Sequence, residues 1–188
     1  MLRGPLLLAW MLAASGPVRA VSFSLTEAER AEAIRLGQGS VTRESIGGEW
    51  TISAGGAEVT ALTPFHRLAT LARQAAFRQA LLKPRDIERA ERENQGRLVL
   101  RATLRGGRAD FARFLVPVLL VGVGEVRATF AQNERTALRQ PDGRYLARCA
   151  YTFPTTALNP RGKVILVVRD QVGGAEVARV PLDLAAFR

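Results

Sequence analysis

The chain has 188 residues, with 27 Lys or Arg against 17 Asp or Glu, which gives a formal net charge of +10. Its composition is 47% hydrophobic and 23% charged. Such a chain is too apolar to be disordered and too mixed to cross a membrane many times, so we expect a folded protein with a packed core.

Residues 1–20 have the three parts of a secretory signal peptide. Arg3 makes the first part positive, residues 6–14 are an apolar stretch, and residues 18–20 are small or tolerated ones before the expected cleavage after Ala20. The apolar stretch is much shorter than the ~20 residues that span a bilayer as a helix. The sequence therefore predicts a periplasmic or secreted protein with no transmembrane segment after cleavage.

The first elements after residue 20 are predicted to be a helix and a hairpin. Thr26 and Glu29 have the spacing of a capping box, and Gly37 is a candidate C-terminal cap, so we expect a helix over residues 26–36. Two runs typical of strands, residues 49–53 and 57–62, are separated by a glycine turn. These runs predict a β-hairpin.

Helical patterns return after the hairpin. Thr63 before Pro64 is a favourable N-cap and first helical position, and apolar residues at three- and four-residue spacing predict a helix to about residue 82. A second helix is expected over residues 85–95, where Ile87 is the strongest apolar residue. We expect this second helix to be mostly solvated.

The segment from residue 97 onward has the pattern of successive antiparallel strands. Six are predicted, at residues 97–105, 110–121, 125–131, 144–153, 163–170 and 175–184. Pro117 and Pro181 fall inside two of them, which indicates edge or irregular strands. Consecutive strands without intervening helices predict an antiparallel, immunoglobulin-like β-sandwich of about six to eight strands with two to three helices. We expect residues 21–95 to form a helical segment with the hairpin, packed on a sandwich of residues 96–188.

Cys149 is the single cysteine, which excludes an intrachain disulfide. Cys149 lies two residues from Ala147 and from Tyr151, and Phe153 continues the same spacing. All four side chains are therefore on one face of the strand, which is expected to point inward. This pattern favours a buried, unreactive thiol over an exposed redox-active one.

Four short segments carry a resemblance to other proteins. They are TPF at 63–65, QNE at 132–134, RCAYTFP at 148–154 and the closing residues 164–170. Together they resemble a pattern in uncharacterised secreted bacterial proteins with a C-terminal immunoglobulin-like β-sandwich. The resemblance implies export, a bacterial source and that fold. Because the group has no assigned activity, it implies no functional residue.

The sequence offers little catalytic chemistry. With one His and one Cys, an ordinary zinc site cannot be built within the chain. His66 begins a predicted helix, where we expect a surface or capping residue, and no nucleophile elbow or Walker A motif is present. Gly122 and Gly124 match the start of the dinucleotide-binding fingerprint, but Arg127 occupies the position of its third glycine, so we do not expect a dinucleotide site. We therefore predict no catalytic residue, no metal site and no cofactor.

One set of arginines is a candidate binding surface. On the strand at 97–105, Arg97, Arg101 and Arg105 recur every four residues, so they share one face with ~13 Å between neighbours. Arg144 and Arg148 extend this set if their strand is adjacent. The arrangement fits a docking face for phosphate- or carboxylate-rich polymers or for an acidic protein. The alternative is an ordinary solvated strand face that its charge keeps from pairing with other edges.

Two functional classes follow from these patterns. The first is an exported, non-catalytic interaction module that binds a protein or an anionic envelope component, with its oligomeric state open. The second is an extracytoplasmic hydrolase with a carboxylate pair that the sequence does not mark. Nucleic acid is not an expected partner, because the chain is predicted to be exported and has few aromatic residues to stack on bases. A deep pocket with converging ionisable groups would favour the hydrolase, and a shallow charged face would favour the module.

Overall fold

The computed structural model describes residues 23–43 and 46–187. The predicted signal peptide, residues 1–20, lies outside this described part. Within it the chain forms three α-helices, α1 (Glu27–Gly39), α2 (Pro64–Phe77) and α3 (Pro84–Asn94). The ten strands of the same residues are β1 (Thr51–Ala54), β2 (Ala57–Leu62), β3 (Arg97–Gly106), β4 (Leu115–Val121), β5 (Gly124–Arg127), β6 (Phe130–Gln132), β7 (Leu138–Arg139), β8 (Tyr145–Pro154), β9 (Lys163–Asp170) and β10 (Glu176–Asp183).

The described strands form two antiparallel sheets. The first has the order β1-β2-β3-β8-β6, with β7 also paired to β8, and the second has the order β10-β9-β4-β5. The predicted β1–β2 hairpin is confirmed. Its Gly55 and Gly56 have φ values of 59° and 76°, as a two-residue turn between right-twisted strands requires. Because β2 also pairs with β3, the hairpin belongs to the first sheet, which continues across the expected division at residue 95.

Four of the six predicted strands are confirmed to within one residue at each end, namely β3, β8, β9 and β10. Two predictions were wrong in detail. Residues 110–114 form turns, in which the N–H of Arg113 donates to the carbonyl of Asp110, and β4 begins only at Leu115. The predicted strand 125–131 is two strands, because β5 pairs with β4 in the second sheet and β6 pairs with β8 in the first.

Pro117 was predicted to mark an edge or irregular strand, yet β4 lies between β9 and β5. Proline is tolerated at position 117 because β5 pairs with β4 only as far as Val118 and does not reach Pro117. The carbonyl of Leu115 points away from β9 and accepts a hydrogen bond from Asn133. Backbone groups two residues apart point the same way, so the nitrogen of Pro117 also faces the side where β5 has already ended. Pro181, by contrast, lies on β10, an edge strand of the described sheet, as predicted.

The predicted helices are found with different ends. The capping box of Thr26 and Glu29 is present, but α1 continues past Gly37, which was predicted to be its cap, and ends at Gly39 with Ser40 as its C-cap. Gly37 is buried inside the helix, and a Cβ atom added to it would lie 2.7 Å from the Cβ of Ala72 on α2. Glycine is therefore needed there for close helix packing. The second helix, α2, stops at Phe77, five residues before its predicted end.

Buried side chains from both sheets, α1 and α2 form one continuous hydrophobic core. Its almost fully enclosed members come from alternate positions of β3, β8, β4, β9 and β10, and they include Leu98, Leu100, Leu104, Tyr151, Phe153, Leu119, Leu166, Val180 and Leu182. The inward faces of both sheets supply this core. The outer face of the first sheet carries polar side chains, whereas the outer face of the second sheet carries apolar ones such as Val116, Val118 and Val167. Among the described helices, none has the length and apolar character needed to cross a membrane.

Candidate functional site

The outer face of β3 carries three of the five arginines predicted to bind. Arg97, Arg101 and Arg105 are exposed. The residues that alternate with them are buried in the core and are Leu98, Leu100, Ala102 and Leu104. The predicted alternation is confirmed, and the three arginines stand along one face at intervals of ~13 Å.

Arg148 joins this face from β8. It pairs with Thr103, which lies between Arg101 and Arg105 on β3, and directly opposed residues of an antiparallel pair share a face. Arg144 is exposed one residue before β8 begins. The structure thus brings four of the predicted residues onto one face and places Arg144 at its end. We call Arg97, Arg101, Arg105, Arg144 and Arg148 the arginine face.

Carboxylates lie at the margin of the arginine face. Asp142 is 3.6 Å from Arg105, but both side chains are exposed and such a pair contributes little to stability. Glu134 accepts a hydrogen bond from the backbone N–H of Arg148 at 2.7 Å. Among the described residues, neither Arg97 nor Arg101 has an ion-pair partner. The face therefore keeps positive charge that its neighbours do not balance.

A cavity of about 210 Å³ opens beside Arg101, between β2, β3 and the two helices α2 and α3. Three of its lining residues are apolar and five are polar or ionisable, and together they are Leu62, Leu71, Ala90, His66, Arg67, Thr70, Glu93 and Arg101. We call it the α2–α3 cavity. Arg101 belongs both to its wall and to the arginine face, so the two features are continuous.

The start of α2 positions the residues of this cavity. Thr63 caps the helix, its hydroxyl accepting the N–H of His66 at 3.1 Å, and Pro64 occupies the first helical position. His66 is then held against Trp50, with ring centroids 4.7 Å apart. The hydroxyl of Thr70 donates to the carbonyl of His66 at 2.8 Å. The cap, the ring contact with Trp50 and the helix together fix the direction of the first turn.

The electrostatics of the α2–α3 cavity are those of an incompletely balanced positive site. Burial, followed by the charges of Arg101 and Arg67, lowers the pKa of His66 to about 4, so its imidazole is neutral at pH 7. Burial and Arg101 also lower the pKa of Arg67, while Glu93 acts in the opposite direction. In the described part of the chain, Arg67 makes no ion pair, and neither its Nε nor the Nδ1 of His66 has a hydrogen-bond partner.

The prediction that His66 is a surface or capping side chain was wrong, because the residue is buried against Trp50. Arg67 and Glu93 were not predicted as site residues. The sequence does contain a partial signal for Arg67, since Leu71 is four residues further along and therefore on the same side of α2. That α3 and β3 close over this side depends on tertiary packing, which local periodicity does not encode.

Cys149 and its neighbours serve the fold. The predicted burial of the thiol is confirmed, and burial raises the pKa of Cys149. Beside it, the hydroxyl of Tyr151 donates to Oδ1 of Asn133 at 3.1 Å, and Nδ2 of Asn133 donates to the carbonyl of Leu115 at 2.8 Å. Tyr151 belongs to the first sheet and Leu115 to the second, so Asn133 links the two sheets.

One groove places two carboxylates together, as the hydrolase alternative requires. It measures about 380 Å³ and contains Glu88 and Glu91 of α3. Both oxygens of Glu91, however, accept hydrogen bonds from Arg30 at 2.8 and 3.0 Å, which ties α3 to α1. A carboxylate held in two such bonds is occupied structurally. The groove therefore offers Glu88 alone as an unpaired acid among the described residues.

Within residues 23–43 and 46–187, no three His, Cys, Asp or Glu side chains lie close enough together to hold a metal ion.

Comparison of the chain with protein-family models, with curated proteins and with solved structures gives no match.

Proposed function

We propose that this chain is an exported, non-catalytic interaction protein that binds an anionic partner through the arginine face. The partner is an anionic component of the cell envelope or an acidic protein. Export rests on the predicted signal peptide at residues 1–20, which lies outside the described residues. The proposed source is bacterial, from the resemblance of residues 63–65, 132–134, 148–154 and 164–170 to those of secreted bacterial proteins.

The observation that carries the binding proposal is the register of β3 with β8. It sets Arg148 opposite Thr103, which lies between Arg101 and Arg105 on β3. The guanidinium groups of Arg148 and of the three β3 arginines therefore share one exposed face. Guanidinium groups bind carboxylates and phosphates through paired hydrogen bonds, and several on one face favour a ligand with several negative charges. A polymer or protein surface provides such a ligand.

We also infer that the two sheets form an immunoglobulin-like sandwich. Three features support this finer description: the sheets share one core, all described strand pairs are antiparallel, and the chain passes between the sheets after β3, after β5 and after β8. In such folds connections that switch sheets are usual, and binding surfaces occur on exposed sheet faces and end loops.

The binding proposal is tested by replacing Arg97, Arg101 and Arg105 together with Ser. Association of the purified protein with envelope fractions is measured by sedimentation over a series of salt concentrations. We expect the variant to lose its association at low salt, because contacts between exposed charges dominate the binding and are screened by ions. Circular dichroism checks that the variant is folded.

The matched control removes the same charge elsewhere, by replacing Arg78, Arg89 and Arg127 with Ser. These arginines are exposed and lie on α2's C-cap, α3 and β5. If the control loses association as completely as the β3 variant, binding depends on net charge alone and the proposed face is wrong. Equal association of the β3 variant and the unmodified protein also overturns it.

A further inference from the structure

The α2–α3 cavity has a charge arrangement that the fold alone does not require. Half-buried Arg67 and exposed Arg101 both line it, yet neither forms an ion pair within the described residues. Glu93 also lines the cavity but is too far from both guanidinium groups to be a salt-bridge partner. Placing an unpaired cation in a partly buried position costs free energy that the fold would avoid with an apolar residue.

Counting charges around the cavity indicates the valence of a ligand. Arg67 and Arg101 contribute two positive charges, Glu93 contributes one negative charge, and His66 is neutral at pH 7. A single negative charge therefore balances the site. A monoanion such as a carboxylate fits this balance better than a dianionic phosphate, which would also be repelled by Glu93.

The size and the remaining lining describe the rest of the ligand. At about 210 Å³ the cavity is smaller than the ~300–1,000 Å³ of pockets for drug-sized molecules. Leu62, Leu71 and Ala90 provide apolar wall beside the two guanidinium groups. The occupant should therefore be small, with a short apolar body next to its carboxylate.

We propose that the α2–α3 cavity binds a small monocarboxylate, whose carboxylate lies between Arg67 and Arg101 and whose apolar body packs against Leu62, Leu71 and Ala90. This inference rests on the proposed function, since Arg101 is part of the arginine face, and it names the chemical group that the face recognises at that point. The carboxylate belongs either to a free organic acid or to the C-terminus of a peptide.

The binding test uses 3-methylbutanoate as the probe and the uncharged 3-methylbutanamide as its matched partner. His66 is the single histidine, so its ring gives one set of NMR signals that reports on the cavity directly. We expect the acid to shift these signals with a Kd on the order of 1 mM and the amide to leave them unchanged. We also expect the pKa of His66 to rise when the acid is bound, because an anion offsets the charges of Arg67 and Arg101.

Two glutamine variants locate the binding. Arg101→Gln is expected to weaken binding of the acid about ten-fold or more, because it removes a charge-assisted hydrogen bond. Arg127→Gln is the control, because Arg127 is exposed on β5, outside both the cavity and the arginine face, and it should change the Kd by less than about two-fold. Arg67→Gln should behave as Arg101→Gln does.

Peptide probes separate the two sources of the carboxylate. If Gly-Gly-Leu binds more than about ten-fold more tightly than 3-methylbutanoate, and its C-terminal amide does not bind, the ligand is a peptide C-terminus. Equal or weaker binding of the peptide assigns the site to a free acid.

The proposal is overturned if the acid causes no shift at about 20 mM, if the amide binds equally well, or if inorganic phosphate binds more tightly than the acid. It also fails if Arg127→Gln weakens binding as much as Arg101→Gln. Failure here, with envelope association still lost in the triple β3 variant, removes the cavity as a site and leaves the arginine face as the binding surface.

Discussion

His66 shows how a single buried side chain sets the pH response of this fold. Its imidazole is enclosed against Trp50, and the positive charges that face it belong to Arg67 and Arg101. Each of these influences disfavours a second proton on the ring. The residue therefore enters the folded state neutral, although in the unfolded chain it titrates near pH 6.5.

The first prediction concerns this difference in titration. Between pH 6.5 and pH 4 the unfolded chain binds a proton at His66 that the folded protein does not, so stability falls as the pH decreases. From about pH 7.5 to about pH 5 the free energy of unfolding should fall by about 2 kcal/mol more in the unmodified protein than in His66→Gln. Urea unfolding of both proteins at the two pH values measures this. Parallel decreases in the two proteins would show that His66 is not the group responsible.

At the scale of the elements, the contact between α1 and α2 depends on one glycine. Gly37 faces the backbone carbonyl of Ala69 and the methyl group of Ala72, and there is no room for a side chain. Gly39 lies two residues further along α1 with nothing within 4 Å of its Cβ position. The same substitution at these two positions therefore separates packing from helix propensity.

The second prediction follows from this pair. Gly37→Ala should lower the free energy of unfolding by about 1–3 kcal/mol, because the added methyl group must push the helices apart. Gly39→Ala should be neutral or stabilising by up to about 1 kcal/mol, since alanine is the better helix former. Thermal unfolding of both variants distinguishes the effects, and equal changes in Tm would contradict the close contact.

The elements also show how far the sequence determines this fold. Strands β3, β8 and β10 could be predicted because each alternates over eight or more residues between a buried and a more exposed face. Strand β9 could be predicted from a continuous apolar run, and its residues 166–168 are all buried. The short strands β5, β6 and β7 have two to four residues, too few to display a period, and their pairing with different sheets is a tertiary choice. The end of α2 was misjudged because apolar residues such as Leu81 continue the helical spacing although Leu81 is 91% exposed.

The candidate site divides in the same way. Residues of the arginine face could be predicted because they lie on strands with regular alternation. The α2–α3 cavity could not, because its walls come from four elements that are adjacent only in the folded chain. Local pattern gives the direction of Arg101 relative to its own strand, but the position of Arg67 beside it depends on how α2 crosses the sheet.

At the scale of the whole molecule, Asn133 connects the two sheets. It accepts a hydrogen bond from Tyr151 of the first sheet and donates one to the carbonyl of Leu115 in the second. Tyr151 is fully buried, so its hydroxyl has no access to solvent as a substitute partner. Loss of the amide would leave buried polar groups unpaired in both layers at once.

The third prediction is that Asn133→Ala lowers the free energy of unfolding by about 1–3 kcal/mol. Tyr151→Phe should cost less, because it removes the buried hydroxyl together with its need for a partner. In the Tyr151→Phe background, Asn133→Ala should therefore have a smaller effect than in the unmodified protein, and a double-mutant cycle of denaturant midpoints measures the coupling. Strict additivity of the two changes would show that Asn133 and Tyr151 act independently.

Because Cys149 is buried, the reactivity of its thiol reports how often the folded chain opens. A thiol-specific reagent cannot reach this sulfur while β3 and β8 are closed over the core. The labelling rate of Cys149 therefore measures how often those strands separate. The same enclosure matters in an oxidising medium. Until folding is complete, a lone sulfhydryl there can form disulfide crosslinks between molecules. Completed folding buries the thiol and prevents these crosslinks without any second cysteine.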